Sequence, residues 1–73
     1  MNFNDAFAAK LRGKRAEADI TQSELAEFLG VSSVSVFRWE DGVTVPNFKT
    51  VYDLAEVLGC TPNDLCPAPE EVA

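Results

Sequence analysis

Histidine is missing from this 73-residue chain, and cysteine occurs only at Cys60 and Cys66. The first absence removes the side chain best suited to proton transfer near neutral pH and the commonest metal ligand. Two cysteines alone cannot supply the four ligands of a closed zinc site, so neither metal nor cofactor is expected. They read instead as two small apolar residues packed around the last helix, and a disulfide is not expected in a reducing compartment. No nucleophile stands at usable spacing from a base, which argues against an enzyme. Positive charge is also scarce: six basic residues face twelve acidic ones, for a net charge of −6. That balance has the wrong sign for a generic polyanion binder. Long apolar runs are lacking, so no membrane-spanning helix is expected. The opening MNFNDAFAAK has neither the basic start nor the apolar block of a secretory leader, and the expectation is a cytoplasmic protein. No small-molecule ligand is suggested.

What is present is a fold-forming composition. Nearly half the residues are hydrophobic, with one Trp and five Phe, too many apolar groups for a disordered chain. The length allows one domain that buries only about 60% of its unfolded surface. Helical signals follow one another along it. The spacing of Phe7 and Leu11 predicts a first helix from about Asn4, as N-cap, to Ala18, with Gly13 inside it and no reason for that glycine except close packing. Thr21-Gln22-Ser23-Glu24 is a capping-box start for a second helix ending at Gly30. Ser32 caps a third, ending at Gly42. Val43-Thr44-Val45 is too short for a strand. Asn47 caps a fourth, with Phe48, Val51, Ala55 and Leu58 as its inward stripe and Gly59 as its stop. Pro62 opens a short fifth helix. Residues 67–73 read as a flexible tail after a domain of residues 1–66. No strand period survives, so the fold class is all-α.

The stretch Gln22 to Asp41 carries the most information. Its two short helices meet at a Gly-Val-Ser turn, with Ala26 small enough to let them touch. Leu25, Leu29, Val31, Val36 and Trp39 face inward. Ser33, Val34, Phe37 and Arg38 are left on the outer face of the second of the two, a protruding helix of the kind that fits a DNA major groove.

In Arg15, Ile20-Thr21-Gln22, Glu24-Leu25-Ala26, Leu29-Gly30-Val31-Ser32, Val36, Trp39-Glu40-x-Gly42, Pro46 and Leu54-Ala55-x-x-Leu58-Gly59, the chain resembles the helix-turn-helix domains of phage repressors, Cro proteins and Xre-type regulators. The resemblance covers about residues 4–66. It implies a compact five-helix, lambda-repressor-like domain whose second and third helices form the helix-turn-helix. It also implies a sequence-specific, double-stranded DNA-binding transcriptional regulator, a repressor or relative of one, acting as a homodimer on a palindromic operator. Cro-like, controller and antitoxin-like proteins all share this size.

By position, the resemblance implies that Ser33, Val34 and Arg38 read base edges. Arginine can bond guanine O6 and N7 together, and valine suits a thymine methyl. Phe37 joins this base-facing group or serves a protein contact. Gln22, Ser32 and Ser35 match phosphate-contacting positions. Arg15 and Glu40 match a structural salt bridge tying the first helix to the end of the third. Lys10, Arg12 and Lys14 could flank the DNA. Tyr52, Val57, Leu65 and Cys66 suggest an apolar dimer patch. Three departures are the neutral Val43-Thr44-Val45 loop, often basic in the family, Lys14 at a place that is usually apolar, and Asp19 where glycine is common. Net charge, neutral loop and exposed Phe37 keep open an alternative, a protein-interaction module of the same fold that has lost DNA binding.

Overall fold

In the computed structural model, which describes residues 1–72, five helices follow one another and no strand forms among the described residues. They are α1 (Phe3–Ala18), α2 (Gln22–Leu29), α3 (Ser33–Glu40), α4 (Phe48–Leu58) and α5 (Pro62–Leu65). None of them is long and apolar enough to cross a membrane.

The helix starts are set by short polar side chains that satisfy backbone N–H groups left without an intrahelical partner. Thr21 Oγ1 accepts from Glu24 N at 3.0 Å and Glu24 Oε1 accepts from Thr21 N at 2.9 Å, completing the capping box of α2. Asn47 Oδ1 accepts from Thr50 N at 2.9 Å to start α4. At α1 the expected cap is displaced: Asn2, not Asn4, accepts from Asp5 N, at 2.8 Å. Asn4 lies within the first turn, where its amide donates to the Val43 carbonyl at 3.5 Å.

Phe7, Leu11, Leu25, Val36, Leu54 and Leu65 are fully buried and join all five helices in one core, with Leu29, Val31, Cys60 and Cys66 packed against it. Three expectations fail here. Phe48 is 87% exposed rather than inward, because it occupies the first position of α4, at the rim of the core. Leu65 cannot belong to a surface patch, because the short α5 drives it wholly into the core. Gly13 is not required by packing: a Cβ there would meet nothing within 4 Å. Residues 67–72 contain a single 3-10 turn, Pro69–Glu71, and Glu71 pairs with Lys10 at 3.2 Å.

Candidate nucleic-acid interface

The turn between α2 and α3 is three residues long. Gly30 takes φ +70°, the left-handed conformation that glycine adopts without steric cost. Val31 N then donates back to the Ala26 carbonyl at 3.0 Å. Ser32 starts α3 by accepting from Ser35 N at 3.2 Å. Ala26, where a small side chain was expected, is buried in the core. The far end of α3 is equally defined: Val43 N donates to Arg38 O at 3.0 Å across Gly42, at φ +76°. A Cβ on residue 42 would meet only the end of the exposed Asp5 side chain, which can swing aside, so it is the positive φ that requires glycine here.

Helical geometry then divides α3 into two faces. Val36, Trp39 and Glu40 are buried. Ser33, Val34, Phe37 and Arg38 are exposed, Val34 at 54% and Phe37 at 53%. The side chains expected to face a partner therefore do lie together on one solvent-facing strip. Ser32 and Ser35 sit at its N-terminal edge, with their hydroxyls 3.1 Å apart. Each hydroxyl keeps further hydrogen-bonding capacity.

Behind the strip, a polar cluster fixes the angle of α3. Glu40 is only 4% exposed. Its carboxylate accepts from Arg15 Nε at 2.6 Å, from Arg15 Nη2 at 3.0 Å and from Gln22 Nε2 at 3.1 Å. The fork of Arg15 thus meets the carboxylate with two parallel bonds, and its third nitrogen donates to the Ile20 carbonyl at 2.9 Å. Hydrogen bonding to Glu40 raises the Arg15 pKa, so the guanidinium stays charged. Arg12 donates to the Glu40 main-chain carbonyl. Gln22 consequently holds the end of α3, with its amide nitrogen committed to Glu40 and its oxygen available. Arg12, Gln22, Phe37, Glu40 and Asp41 together line a shallow depression beside α3.

Neither the Gln22–Glu40 bond nor the role of Arg12 was foreseen from sequence. Both join residues far apart in the chain, and no local pattern announces them.

The charges are sorted in a way composition cannot show. Lys10 pairs with Glu71, Lys14 with Glu17 at 3.5 Å, Arg15 with Glu40, and Lys49 with Asp53 at 2.9 Å. Four of the six cations are therefore neutralised by carboxylates, leaving Arg12 and Arg38 among the described residues. Among the described residues Arg38 has no side-chain hydrogen bond or ion pair, and it stands on the exposed strip. Lys10 and Lys14, expected as possible flanking contacts, are held on the protein's own acids.

Two short helices crossing at a tight glycine turn, the second buried on one face and bare on the other, define a helix-turn-helix protein. The chain belongs to the helix-turn-helix family, which it matches over residues 11–65. It is 37% identical over 59 residues to the HTH-type transcriptional regulator DicA of Escherichia coli strain K12, an alignment covering 81% of this chain and 44% of that protein. It spans less than half the length of the curated relatives it matches.

Among solved structures, it is similar to the phage P22 c2 repressor in complex with a synthetic operator, at a TM-score of 0.77 and 32% identity, covering 82% of this chain and 91% of that one. The same fold occurs in the hydroxypropylphosphonic acid epoxidase of S. wedmorenis. There the TM-score is 0.84 at 26% identity, covering 92% of this chain but 36% of the enzyme.

Proposed function

We propose that this chain is a sequence-specific, double-stranded DNA-binding transcriptional regulator, a cytoplasmic repressor without catalytic activity that acts as a homodimer on a palindromic operator. Residues 1–66 form the binding unit. The observation that carries this reading is the unpaired Arg38 on the exposed face of α3, beside Ser33, Val34 and Phe37. A free guanidinium among small and apolar side chains suits a guanine next to thymine methyls. The operator complex of the similar P22 repressor supports the same reading.

Roles follow from chemistry. Arg38 reads a guanine, Ser33 makes one hydrogen bond to a base edge, and Val34 and Phe37 cover methyl groups. Ser32 and Ser35, at the start of α3, contact phosphate. Gln22 offers its free amide oxygen and the remaining amide proton near the backbone, so a water or a sugar–phosphate group completes its bonding. The buried Arg15–Glu40 pair keeps α3 at its angle and touches no DNA.

Selection from a randomised duplex pool at low and near-physiological salt tests the proposal. A palindromic motif recovered at both salts is the expected result. Arg38→Ala should then lose about 1–3 kcal/mol of specific binding and relax preference at one base pair. A motif whose preferences are unchanged by Arg38→Ala removes that residue from the readout.

One observation favours a second reading, a protein-interaction module. The fold occurs within an epoxidase, and most of this chain's cations are already neutralised. A pool that yields no motif at either salt decides for it.

A further inference from the structure

The carbonyl groups that close α3 each have a donor, and one of those donors comes from another helix. Phe37, Arg38 and Trp39 O accept from the main-chain N–H groups of Asp41, Val43 and Gly42, at 2.9, 3.0 and 3.5 Å. Glu40 O is the last carbonyl of the helix, and among the described residues no main-chain N–H reaches it. Arg12 Nη1 donates to it from α1, which sets a guanidinium at the negative end of the α3 dipole.

Arg12 differs from the other basic side chains in this. Lys10, Lys14, Arg15 and Lys49 are paired with carboxylates, and Arg38 stands on the open strip. Arg12 alone lies outside those ion pairs and is nevertheless bonded to α3. The residue is exposed, and the bond to Glu40 uses one of several guanidinium N–H groups. The depression it lines, of about 220 Å³, is shared with Gln22 and with Phe37 of the strip. Its remaining donors are therefore at the flank of the strip, where the sugar–phosphate wall runs when α3 enters a major groove. The Asp41 carboxylate belongs to the same depression and makes it a poor trap for free anions. A phosphate is held there only when the rest of an interface brings it in.

We propose that Arg12 is a positioning residue for base recognition: it bonds a DNA phosphate while it holds the Glu40 carbonyl, and so ties the end of α3 to the DNA backbone. Phe37 and Arg38 belong to the last turn of α3, so the placing of that end decides where they point. Ser33 and Val34 stand roughly 10 Å further back along the helix axis and depend on it less. The planar fork of arginine holds two acceptors at a fixed angle, whereas a lysine ammonium keeps the charge without that geometry. Preference at the base pair read by Arg38 then varies with the position of a neighbouring phosphate. That is a readout of backbone shape through a residue that touches no base.

The inference rests on the DNA reading of the proposed function, and its test separates the two. Arg12→Lys is compared with the wild type, alone and combined with Arg38→Ala, after circular dichroism has verified that each variant is folded. Without DNA, hydrogen exchange at the Asp41, Gly42 and Val43 amides should quicken about tenfold in Arg12→Lys. On duplex DNA the variant should keep the salt slope and the non-specific affinity of the wild type. It should lose about fivefold or more of the preference at the base pair that Arg38→Ala relaxes. In the Arg38→Ala background it should lose nothing further there, because both residues act on one contact. Equal loss on all sequences in both backgrounds would make Arg12 an ordinary phosphate contact and overturn the proposal. Unchanged base preference overturns it too, and so does unchanged amide exchange. A wild type that selects no motif defeats the DNA-binding function itself and the phosphate contact with it, a failure visible before any variant is made.

Discussion

Arg15→Ala is expected to be the most damaging single substitution in this fold, for reasons of solvation more than attraction. The Glu40 side chain is 3% exposed and that of Arg15 23%. Removing Arg15 deletes two bonds to the carboxylate and one to the Ile20 carbonyl, and strands a buried negative charge with Gln22 as its remaining side-chain donor. Breaking a buried pair from one side costs about 3–5 kcal/mol, and the partial exposure of Arg15 selects the lower end, about 3. A chain of 73 residues has roughly 4–11 kcal/mol in total, so most of its stability is at stake.

Urea unfolding followed by the fluorescence of Trp39 is the direct assay, since this single tryptophan is 8% exposed and adjoins Glu40. With a slope near 1 kcal/mol per molar, the midpoint should fall by about 3 M. The melting temperature should drop by roughly 12–24 °C. Arg15→Lys keeps the charge without the fork and should lose about half as much. Replacing Arg15 and Glu40 together by methionine should recover most of the loss, because no stranded charge remains. A loss below about 1 kcal/mol for Arg15→Ala would show the pair to be solvated and refute this account.

Gly13→Ala should stabilise the chain by about 0.5–1 kcal/mol, since the new methyl meets nothing and the helix gains propensity; an unchanged urea midpoint would sink this reading. Asp19 closes α1 at φ +56°, the one non-glycine residue with positive φ among those described, so Asp19→Gly should raise stability by about 0.5–1 kcal/mol. Destabilisation there would mean that Asp19 holds the turn by a contact that glycine lacks. Hydrogen bonds from Thr61 hold the Asp64 carboxylate below its ordinary pKa of 3.8. A carboxylate with a depressed folded pKa contributes above its unfolded pKa and loses that contribution as pH falls through the folded value. Asp64→Asn should therefore flatten the stability profile below about pH 4, and an identical acid limb in both proteins would contradict it.

Much of the fold was legible because its boundaries are written locally. Capping at Thr21, Ser32 and Asn47, the turn at Gly30 and the two faces of α3 each depend on residues within four positions of one another. The errors arise where geometry is not local. Phe48 fits the apolar spacing of α4, yet a first-turn residue projects past the edge of the core, which periodicity cannot register. Leu65 belongs to a helix of four residues, too short to show a period. The start of α1 is a local signal too: Asn2, with Asp5 three residues later, is its cap in place of the equally polar Asn4. The pairing of Lys10 with Glu71 spans most of the chain, so no reading of charge along the sequence could reveal that Lys10 is neutralised.

That neutralisation bears on how an acidic protein could recognise a polyanion. Phosphate contacts lower log K with log salt concentration by about 0.9 per phosphate neutralised. If only Arg12 and Arg38 are free in each subunit, a dimer offers four cations, and the salt slope should lie between about −2 and −4. Affinity must then come mainly from base contacts and the symmetry of two half-sites, which makes discrimination high relative to non-specific attraction. Measuring operator binding over a tenfold salt range decides the point. A slope steeper than about −6 would require Lys10, Lys14 or Lys49 to leave Glu71, Glu17 or Asp53 on binding. The exposed Lys49–Asp53 pair, worth at most about 1 kcal/mol, would be the first to open. Asp53→Asn would then tighten binding and steepen the slope, whereas with a shallow slope it should change neither.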